Sequence, residues 1–335
     1  MPLVIPRPEG LYCPLGGFYI DPMRPVTTAV VTHAHSDHAR TGHQEYFTSR
    51  SGAPLLRERI KSGRLTALDW GARQKFGSVW VSLHPAGHIL GSAQVRIESG
   101  SDVWVVTGDY KRDADASCEP FETVKCDTLI SEATFGLPLY QWPPLDEVVD
   151  EILDWWNACR EEGRVALLNG YSLGKAQRIL AELKKRVPDE WAFVSPPVEN
   201  MNAHYRAQGF DLLETRPLTD AAGIKDFVGR LVLAPPGALG SPSLRKLGKP
   251  STAFASGWMQ LRTRRGSAAQ ERGFVLSDHA DWPSLLRTIR ESGAKNVLTH
   301  HGSARTLARY AREEMGLNAR ELFESGHRER PEEGE

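Results

Sequence analysis

Three histidines and an aspartate lie within six positions near the start of the chain, at His33, His35, Asp37 and His38. They follow Val30-Val31-Thr32, a β-branched run that is typical of the end of a buried strand. Imidazole nitrogens and carboxylate oxygens are donors that suit zinc, manganese or iron. Because only 11 histidines occur in 335 residues, three in one short stretch indicate a metal site rather than a polar turn.

Further donors occur where predicted strands end. They are Asp21, His88, Asp109, His279, His300 and His301. A metal near His33 needs more ligands, and His88 and Asp109 are the natural suppliers. Asp109 could also bridge to a second ion near Asp37, and two ions roughly 4 Å apart would make a bridging water available as hydroxide at neutral pH. Asp21 is expected to orient a ligand histidine from behind.

Composition excludes several classes of protein. The formal net charge is −1, so no global basic field indicates a nucleic-acid binder, although a local basic groove is compatible with 41 Lys and Arg. The four cysteines form no C-x-x-C pair, which favours reduced thiols and a cytoplasmic protein. No apolar run is long enough to span a membrane, and the N-terminus has no cleavable signal pattern.

The pattern of elements changes along the chain. Up to about residue 136, short predicted strands each end in a His, Asp or Glu. From 146 to about 254, helices alternate with short strands, which is typical of an α/β domain. A strand predicted over 273–277 is again followed by candidate ligand residues, as in the first 136 residues. Helices are predicted over 283–291 and 303–315, with Ser303 as the cap of the second. The polar tail 325–335 is predicted to be disordered.

Several ordered motifs resemble one family. The stretch His33-x-His35-x-Asp37-His38, with Gly87-His88 and Gly108-Asp109, resembles the metallo-β-lactamase superfamily. Three further motifs resemble its nucleic-acid-processing β-CASP branch, and they contain Glu132, Ser277-Asp278-His279 and His300-His301-Gly302. Gly174-Lys175-Ala176-Gln177 resembles a helix start of the inserted domain of that branch, and Leu11-Tyr12-Cys13-Pro14 is most similar to bacterial ligase-associated DNA exonucleases.

The resemblance implies a fold and a domain order. The fold class is α/β (α+β), an αββα metallo-β-lactamase sandwich with an inserted β-CASP α/β domain. The first part of the sandwich domain would cover 1–136, the insertion 137–272 and the closing part 273–324.

The resemblance also implies roles for the site residues. Two divalent ions, zinc or manganese, would be held by His33, His35, His88 and Asp109, and by Asp37, His38, Asp109 and His301. Asp37 would also be catalytic, His279 would protonate the leaving oxygen, and Glu132 would orient His279 or a ligand. His301 is preferred to His300 as a ligand. Candidate substrate contacts are Lys175, Arg262, Arg264, Arg265, Ser303 and Arg272.

The predicted activity is a metal-dependent DNA exonuclease of DNA repair, associated functionally with an ATP-dependent DNA ligase and a helicase. The first alternative is an RNA-processing nuclease with the same chemistry. A small-molecule hydrolase is disfavoured by an insertion of ~135 residues that carries the extra motifs. A non-catalytic scaffold is disfavoured because every expected metal position is filled.

Overall fold

A computed structural model describes residues 2–261 and 271–323, and these form two compact units. The first unit consists of the chain up to Gln141 together with the chain from His279 onward, and the second is Trp142–Asp278. The second unit is therefore an insertion within the sequence of the first. Its ends follow residues 141 and 278, whereas the sequence predicted junctions after 136 and 272. The tail 325–335 lies outside the described residues.

The described residues form nineteen strands and eight α-helices. In chain order the strands are β1 (Ile5–Arg7), β2 (Gly10–Cys13), β3 (Phe18–Ile20), β4 (Thr28–Val30), β5 (Glu45–Ser49), β6 (Arg64–Leu68), β7 (Gln74–Phe76), β8 (Val79–Pro85), β9 (Ala93–Ser99), β10 (Asp102–Val106), β11 (Thr128–Glu132), β12 (Ala166–Asn169), β13 (Trp191–Val194), β14 (Glu214–Pro217), β15 (Leu231–Ala234), β16 (Ser251–Ala255), β17 (Arg272–Phe274), β18 (Asn296–His300) and β19 (Asn318–Glu321). The helices are α1 (Ala53–Ile60), α2 (Leu145–Glu161), α3 (Lys175–Arg186), α4 (Pro196–Ala207), α5 (Ile224–Phe227), α6 (Pro242–Arg245), α7 (Trp282–Ser292) and α8 (Ala304–Glu313).

The first unit contains two mixed sheets. One has six strands in the order β1 to β6, and the other has seven in the order β19-β18-β11-β10-β9-β8-β7. In the second sheet β10, β11, β18 and β19 run parallel, and Glu132 pairs with His300 across β11 and β18. Because parallel strands end at the same edge of a sheet, the residues that follow β10, β11 and β18 meet there.

Alternating side chains of the second sheet build two separate cores. Val106 and Ile130 join a buried cluster that also contains Phe18 and Val30 of the first sheet. Val105 and Leu129 point the other way, into a cluster with the apolar faces of α7 and α8. Helix α1 packs on β5 and β6 of the first sheet. Helices therefore pack against both sheets, and the predicted mixed α/β fold is confirmed.

Helix α7 illustrates why these segments fold locally as they do. The Asp281 carboxylate accepts a hydrogen bond from the Ser284 backbone N–H, which caps the first turn. Gly293 ends the helix in the left-handed conformation.

The second unit is built on one sheet of six strands in the order β14-β13-β15-β12-β16-β17. All of its pairings are parallel, and its strands are linked by helices. The strand predicted over 273–277 as the return of the first domain is instead β17, which ends at Phe274 and pairs with β16. That prediction was wrong because the pairing partner of a short apolar strand is not visible in its sequence.

No helix among the described residues is long and apolar enough to cross a membrane.

Candidate metal centre

The predicted ligands sit on the loops that follow strands of the first unit. His33, His35 and His38 follow β4, His88 follows β8, and Asp109 follows β10. Glycines precede two of these ligands because the chain must turn closely there. Gly108 has φ +55°, and a Cβ at that position would lie 2.8 Å from the Thr32 side chain. Gly87 has φ +72°, and its Cβ would lie 2.3 Å from the Lys111 carbonyl oxygen.

The donor atoms of His33, His35, His88 and Asp109 all lie within 4.8 Å of one another. Nε2 of His33 and Nε2 of His88 lie 3.1 and 3.0 Å from Nδ1 of His35. Two nitrogens bound tetrahedrally to one zinc ion would be about 3.3 Å apart, since each Zn–N bond is about 2.0–2.1 Å. Three imidazoles and a carboxylate at these separations therefore fit a divalent ion.

Asp21 contacts His38 directly and is linked to His33 through Thr32. Its Oδ2 lies 2.7 Å from Nδ1 of His38 and accepts a hydrogen bond of 2.6 Å from the Thr32 hydroxyl. The Thr32 Oγ1 lies 3.0 Å from Nδ1 of His33, so it can accept the proton of that ring nitrogen. Both histidines then keep Nε2 for a metal. Asp21 holds this position at φ +44°, in the left-handed region.

The role of Thr32, which links Asp21 to His33, is not predicted from the sequence, where Thr32 reads only as part of a strand. Its position directly before the first histidine is the signal that could have indicated this role.

Asp109 is shared between two groups of donors. Its Oδ2 lies 3.5 Å from Nε2 of His33 and 3.3 Å from Nε2 of His38. Although burial disfavours its charged form, the pKa of Asp109 is held well below its usual value by His38 and His279. Burial also lowers the pKa of His33 well below its usual value, which keeps that imidazole neutral and able to ligate.

His38 has the opposite shift. Burial alone would lower its pKa, but the carboxylates of Asp109, Asp37 and Asp21 together raise it well above the usual value. These three negative charges around one imidazole mark a place where positive charge is favoured.

The second predicted group of ligands is less tightly gathered. Oδ2 of Asp37 lies 3.5 Å from Nε2 of His38, and the Asp37 side chain is 44% exposed. The ring of His301 lies 5.9 Å from that of His38, centroid to centroid. His301 has φ +61°, and the next residue, Gly302, has φ +48°, where a Cβ would lie 2.5 Å from the Ala133 carbonyl oxygen.

His300, the alternative ligand, is a buried residue at the end of β18. Burial, followed by the charge of His301, lowers its pKa well below the usual value. Among the described residues, nothing hydrogen-bonds to its Nε2.

Glu132 and His279 form a buried pair beside the first cluster. Nδ1 of His279 lies 2.9 Å from Oε2 of Glu132, and Oε1 of Glu132 accepts a hydrogen bond of 2.7 Å from the Tyr110 backbone N–H. The His279 ring lies 4.7 Å from that of His88, centroid to centroid. Donor atoms of Glu132 and His279 also lie within 4.8 Å of a carboxylate oxygen of Asp109. The Glu132 carboxylate, held by the Tyr110 backbone, thus positions His279 beside the candidate metal cluster.

Lys175 does not lie where a phosphate contact would. In the second unit its side chain is 4% exposed, and Nζ donates to Asp278 Oδ2 at 2.6 Å and to the Leu276 carbonyl oxygen at 3.2 Å. Arg178 contributes a second cation, 3.0 Å from Asp278 Oδ1. The prediction of a substrate contact at Lys175 is corrected, because the ammonium group already neutralises a buried carboxylate.

The other residues predicted to contact the substrate are four arginines and a serine. Arg262, Arg264 and Arg265 lie outside the described residues. Arg272 is exposed on β17, over the Phe274 ring. Ser303 stands at the N-cap position of α8, as predicted, although its side chain accepts no capping hydrogen bond. Its backbone N–H instead donates to the Ala133 carbonyl oxygen at 2.8 Å.

Comparison with known proteins identifies relatives of two kinds. No protein-family model matches the chain. A protein of Opitutus terrae named as a probable DNA ligase is 34% identical over 323 residues, which are 95% of this chain and 31% of that protein. Endoribonuclease YSH1 of Gibberella zeae is 32% identical over 120 residues, or 35% of this chain and 14% of the relative. RNase aCSPSF2 of Saccharolobus solfataricus is 27% identical over 147 residues, or 42% and 30%.

The chain therefore spans about a third or less of the length of these curated relatives. Among solved structures, a protein of unknown function from Enterococcus faecalis is similar with a TM-score of 0.57 at 13% identity, covering 84% of this chain and 77% of that one. This likeness concerns the fold alone.

Proposed function

Because the chain belongs to the β-CASP branch of the metallo-β-lactamase superfamily, we propose that it is a metal-dependent nuclease whose substrate is DNA. The observation that carries the proposal is the gathering of His33, His35, His88 and Asp109 within 4.8 Å, with the buried Glu132–His279 pair at their side. A metal cluster next to a fixed acid–base residue can catalyse hydrolysis of a phosphodiester.

The donors divide into two sets that share one carboxylate. His33, His35 and His88 with Asp109 would hold one ion, and Asp37, His38 and His301 with Asp109 the other, with zinc or manganese as the proposed metals. Ions bound there would make a water molecule nucleophilic at neutral pH and offset the charge that builds on the phosphoryl oxygens. Asp21 and Thr32 fix the ring orientation of His38 and His33.

His279 is the proposed general acid. Because Glu132 engages Nδ1 of His279, the other ring nitrogen, Nε2, is the one that can give a proton to the departing sugar oxygen. Glu132 already accepts hydrogen bonds from Tyr110 and His279, so we assign it to orientation rather than to metal binding.

Similarity over nearly the whole chain supports DNA as the substrate. The relative named as a probable DNA ligase matches 95% of this chain, whereas the ribonuclease relatives match less than half of it. This relative is named as a DNA ligase and contains a region similar to this chain. We infer that the ligase and the similar region both act on DNA ends. We therefore propose an exonuclease that prepares ends in DNA repair, functionally associated with a ligase and a helicase in the cytoplasm.

The second candidate is an RNA-processing nuclease, favoured by the similarity to YSH1 and aCSPSF2. Matched, end-labelled DNA and RNA strands would be digested with zinc, manganese or magnesium added back singly. We expect metal-dependent cleavage of DNA that proceeds from one end. Preferential cleavage of RNA would select the second candidate.

Two variants separate the metal centre from contaminating nucleases. His35→Ala and Asp37→Ala are expected to abolish hydrolysis while circular dichroism stays unchanged, because both side chains lie outside the hydrophobic cores. Wild-type rates from either variant in metal-free buffer would contradict the proposed chemistry.

A further inference from the structure

The last helix of the first unit and the strand beside it form a groove rich in arginine. The groove has a volume of about 750 Å³ and is lined by four arginines, Arg305, Arg309, Arg312 and Arg320. Glu321 is the single acidic residue of its lining. Since the whole chain has a net charge of −1, this concentration of positive charge is a local feature of α8 and β19.

The arginines are arranged along one line of the surface. Arg305, Arg309 and Arg312 are spaced i, i+4 and i+7 on α8, so they share one face and span about 10 Å at 1.5 Å per residue. Arg320 stands on β19, and a hydrogen bond of 3.5 Å from Arg312 to the Ala319 carbonyl oxygen joins the helix to that strand. All four side chains are exposed.

Much of this charge is not neutralised within the protein. Arg305 and Arg320 have no ion-pair partner among residues 2–261 and 271–323. Arg309 and Arg312 share one carboxylate, that of Glu313, at 3.9 and 3.4 Å. Exposed pairs of this kind are weak and are easily exchanged for a stronger anion.

The composition of the groove selects the kind of anion. None of the large apolar side chains exposed in the described chain lies on α8 or β19, so the groove lacks the apolar centre on which a protein partner would pack. Guanidinium groups bind phosphate oxygens with two parallel hydrogen bonds, and a row of them suits a chain of phosphates. Helix α8 also begins three residues after His301, so the first arginine of the groove follows a proposed metal ligand closely in sequence.

We propose that this arginine groove binds the sugar–phosphate backbone of a nucleic-acid strand, separately from the residues that cut it. The inference rests on the proposed nuclease function and adds a second contact for the same substrate. Contacts to backbone phosphates carry no sequence information, so the groove would strengthen and orient binding without selecting bases.

The test compares two triple variants of the 335-residue chain. One is Arg305→Gln/Arg309→Gln/Arg320→Gln, and its matched control, Arg7→Gln/Arg57→Gln/Arg290→Gln, removes three exposed arginines of the same unit that lie outside the groove. Both carry Asp37→Ala and zinc, so that the labelled strand stays intact. The probe is a fluorescein-labelled single-stranded DNA, followed by anisotropy from low to high salt.

We expect the groove variant to bind DNA about tenfold or more weakly at 50 mM salt, with a salt dependence of log Kd shallower by about 2, since each phosphate contact to a single strand contributes about 0.7. The control should keep the affinity and the salt dependence of the parent. Equal binding by the groove variant and the control would overturn the inference. Unchanged DNA binding with lost binding of labelled polyglutamate would also overturn it, and would assign the groove to an acidic polypeptide.

The same data separate this inference from the proposed function. If the wild-type chain cuts no nucleic acid with any metal, the nuclease proposal fails whatever the anisotropy shows. If it cuts DNA while the groove variant binds like its control, only the inference about the groove fails.

Discussion

His279 and Glu132 are held together across 147 positions of sequence, with Nδ1 of the histidine 2.9 Å from Oε2 of the carboxylate. Because Glu132 engages Nδ1, the proposed proton donor of His279 is Nε2. This assignment also separates the proposed role of His279 from that of the neighbouring metal ligands, because a general acid matters only when the leaving group needs a proton.

His279→Ala should slow hydrolysis of DNA by about 10²- to 10⁴-fold and leave hydrolysis of a nitrophenyl phosphodiester within a fewfold of wild type, since nitrophenolate departs without protonation. Glu132→Gln should show the same pattern more weakly, because the amide oxygen can still accept the hydrogen bond from Tyr110. Single-turnover rates on both substrates measure the effect. Equal losses on the two substrates would place His279 among the metal ligands instead.

Asp21→Asn tests the orientation of His38. The amide oxygen can still accept from the Thr32 backbone N–H. The amide nitrogen, in the place of Oδ2, can accept from neither the Thr32 hydroxyl nor His38. The metal concentration that gives half-maximal activity should rise about 10- to 100-fold, with the fold intact. Asp69→Asn, which removes an exposed carboxylate paired with Arg50, is the control and should leave the metal titration unchanged.

His300 and His301 can be distinguished by opposite effects. His301→Ala should reduce the bound metal from two ions to one per chain and lower activity about 100-fold or more. His300→Ala should retain two ions but lower the Tm, because it opens a cavity at the buried end of β18. Metal content by mass spectrometry and thermal melts decide the assignment, and loss of an ion from the His300 variant would reverse it.

Glu291 gives the fold a predictable pH dependence. Hydrogen bonds from Arg287 and Arg112 lower the pKa of Glu291 from 4.5 to about 2. Because the folded pKa is the lower one, the stabilisation is complete above about pH 4.5 and is lost as the pH falls toward 2. Glu291→Gln should lower the Tm at pH 7 by on the order of one or two degrees, since the pair lies at the surface.

The difference in Tm between Glu291→Gln and wild type should disappear as the pH is lowered through this window. Glu314→Gln, which changes an exposed carboxylate without an ion-pair partner in the described chain, is its control and should match wild type at every pH. A difference that persists unchanged at pH 2 would show that the loss comes from packing rather than charge.

The sequence predicted which residues gather in the candidate metal cluster, because their pattern is local. His33, His35 and His38 lie in one short stretch, and the glycines before His88 and Asp109 mark the close turns that bring those two side chains back. The two strands that end at Glu132 and His300 were also predicted, whereas their pairing with each other is known only from the structure.

The failures concern contacts that local patterns do not contain. Lys175 has the same sequence context whether it binds phosphate or a carboxylate 103 positions away, and the structure selects Asp278. Ser303 precedes α8 as a cap should, yet its side chain makes no capping bond. The edge strands β6 and β19 were not predicted, because each forms by adding to a single neighbouring strand, which its own sequence does not show.

The pairing of β11 with β18 also bears on when the proposed metal centre can assemble during synthesis. Glu132 and His300 are neighbours in the sheet but are separated by the whole second unit in the order of synthesis. At about 5–20 residues per second, a ribosome needs roughly 8–34 s to proceed from one to the other. His279 is made only near the end of that interval, and His301 directly after it. The proposed metal centre, which draws residues from both segments of the first unit, therefore cannot assemble until the second unit has been synthesised.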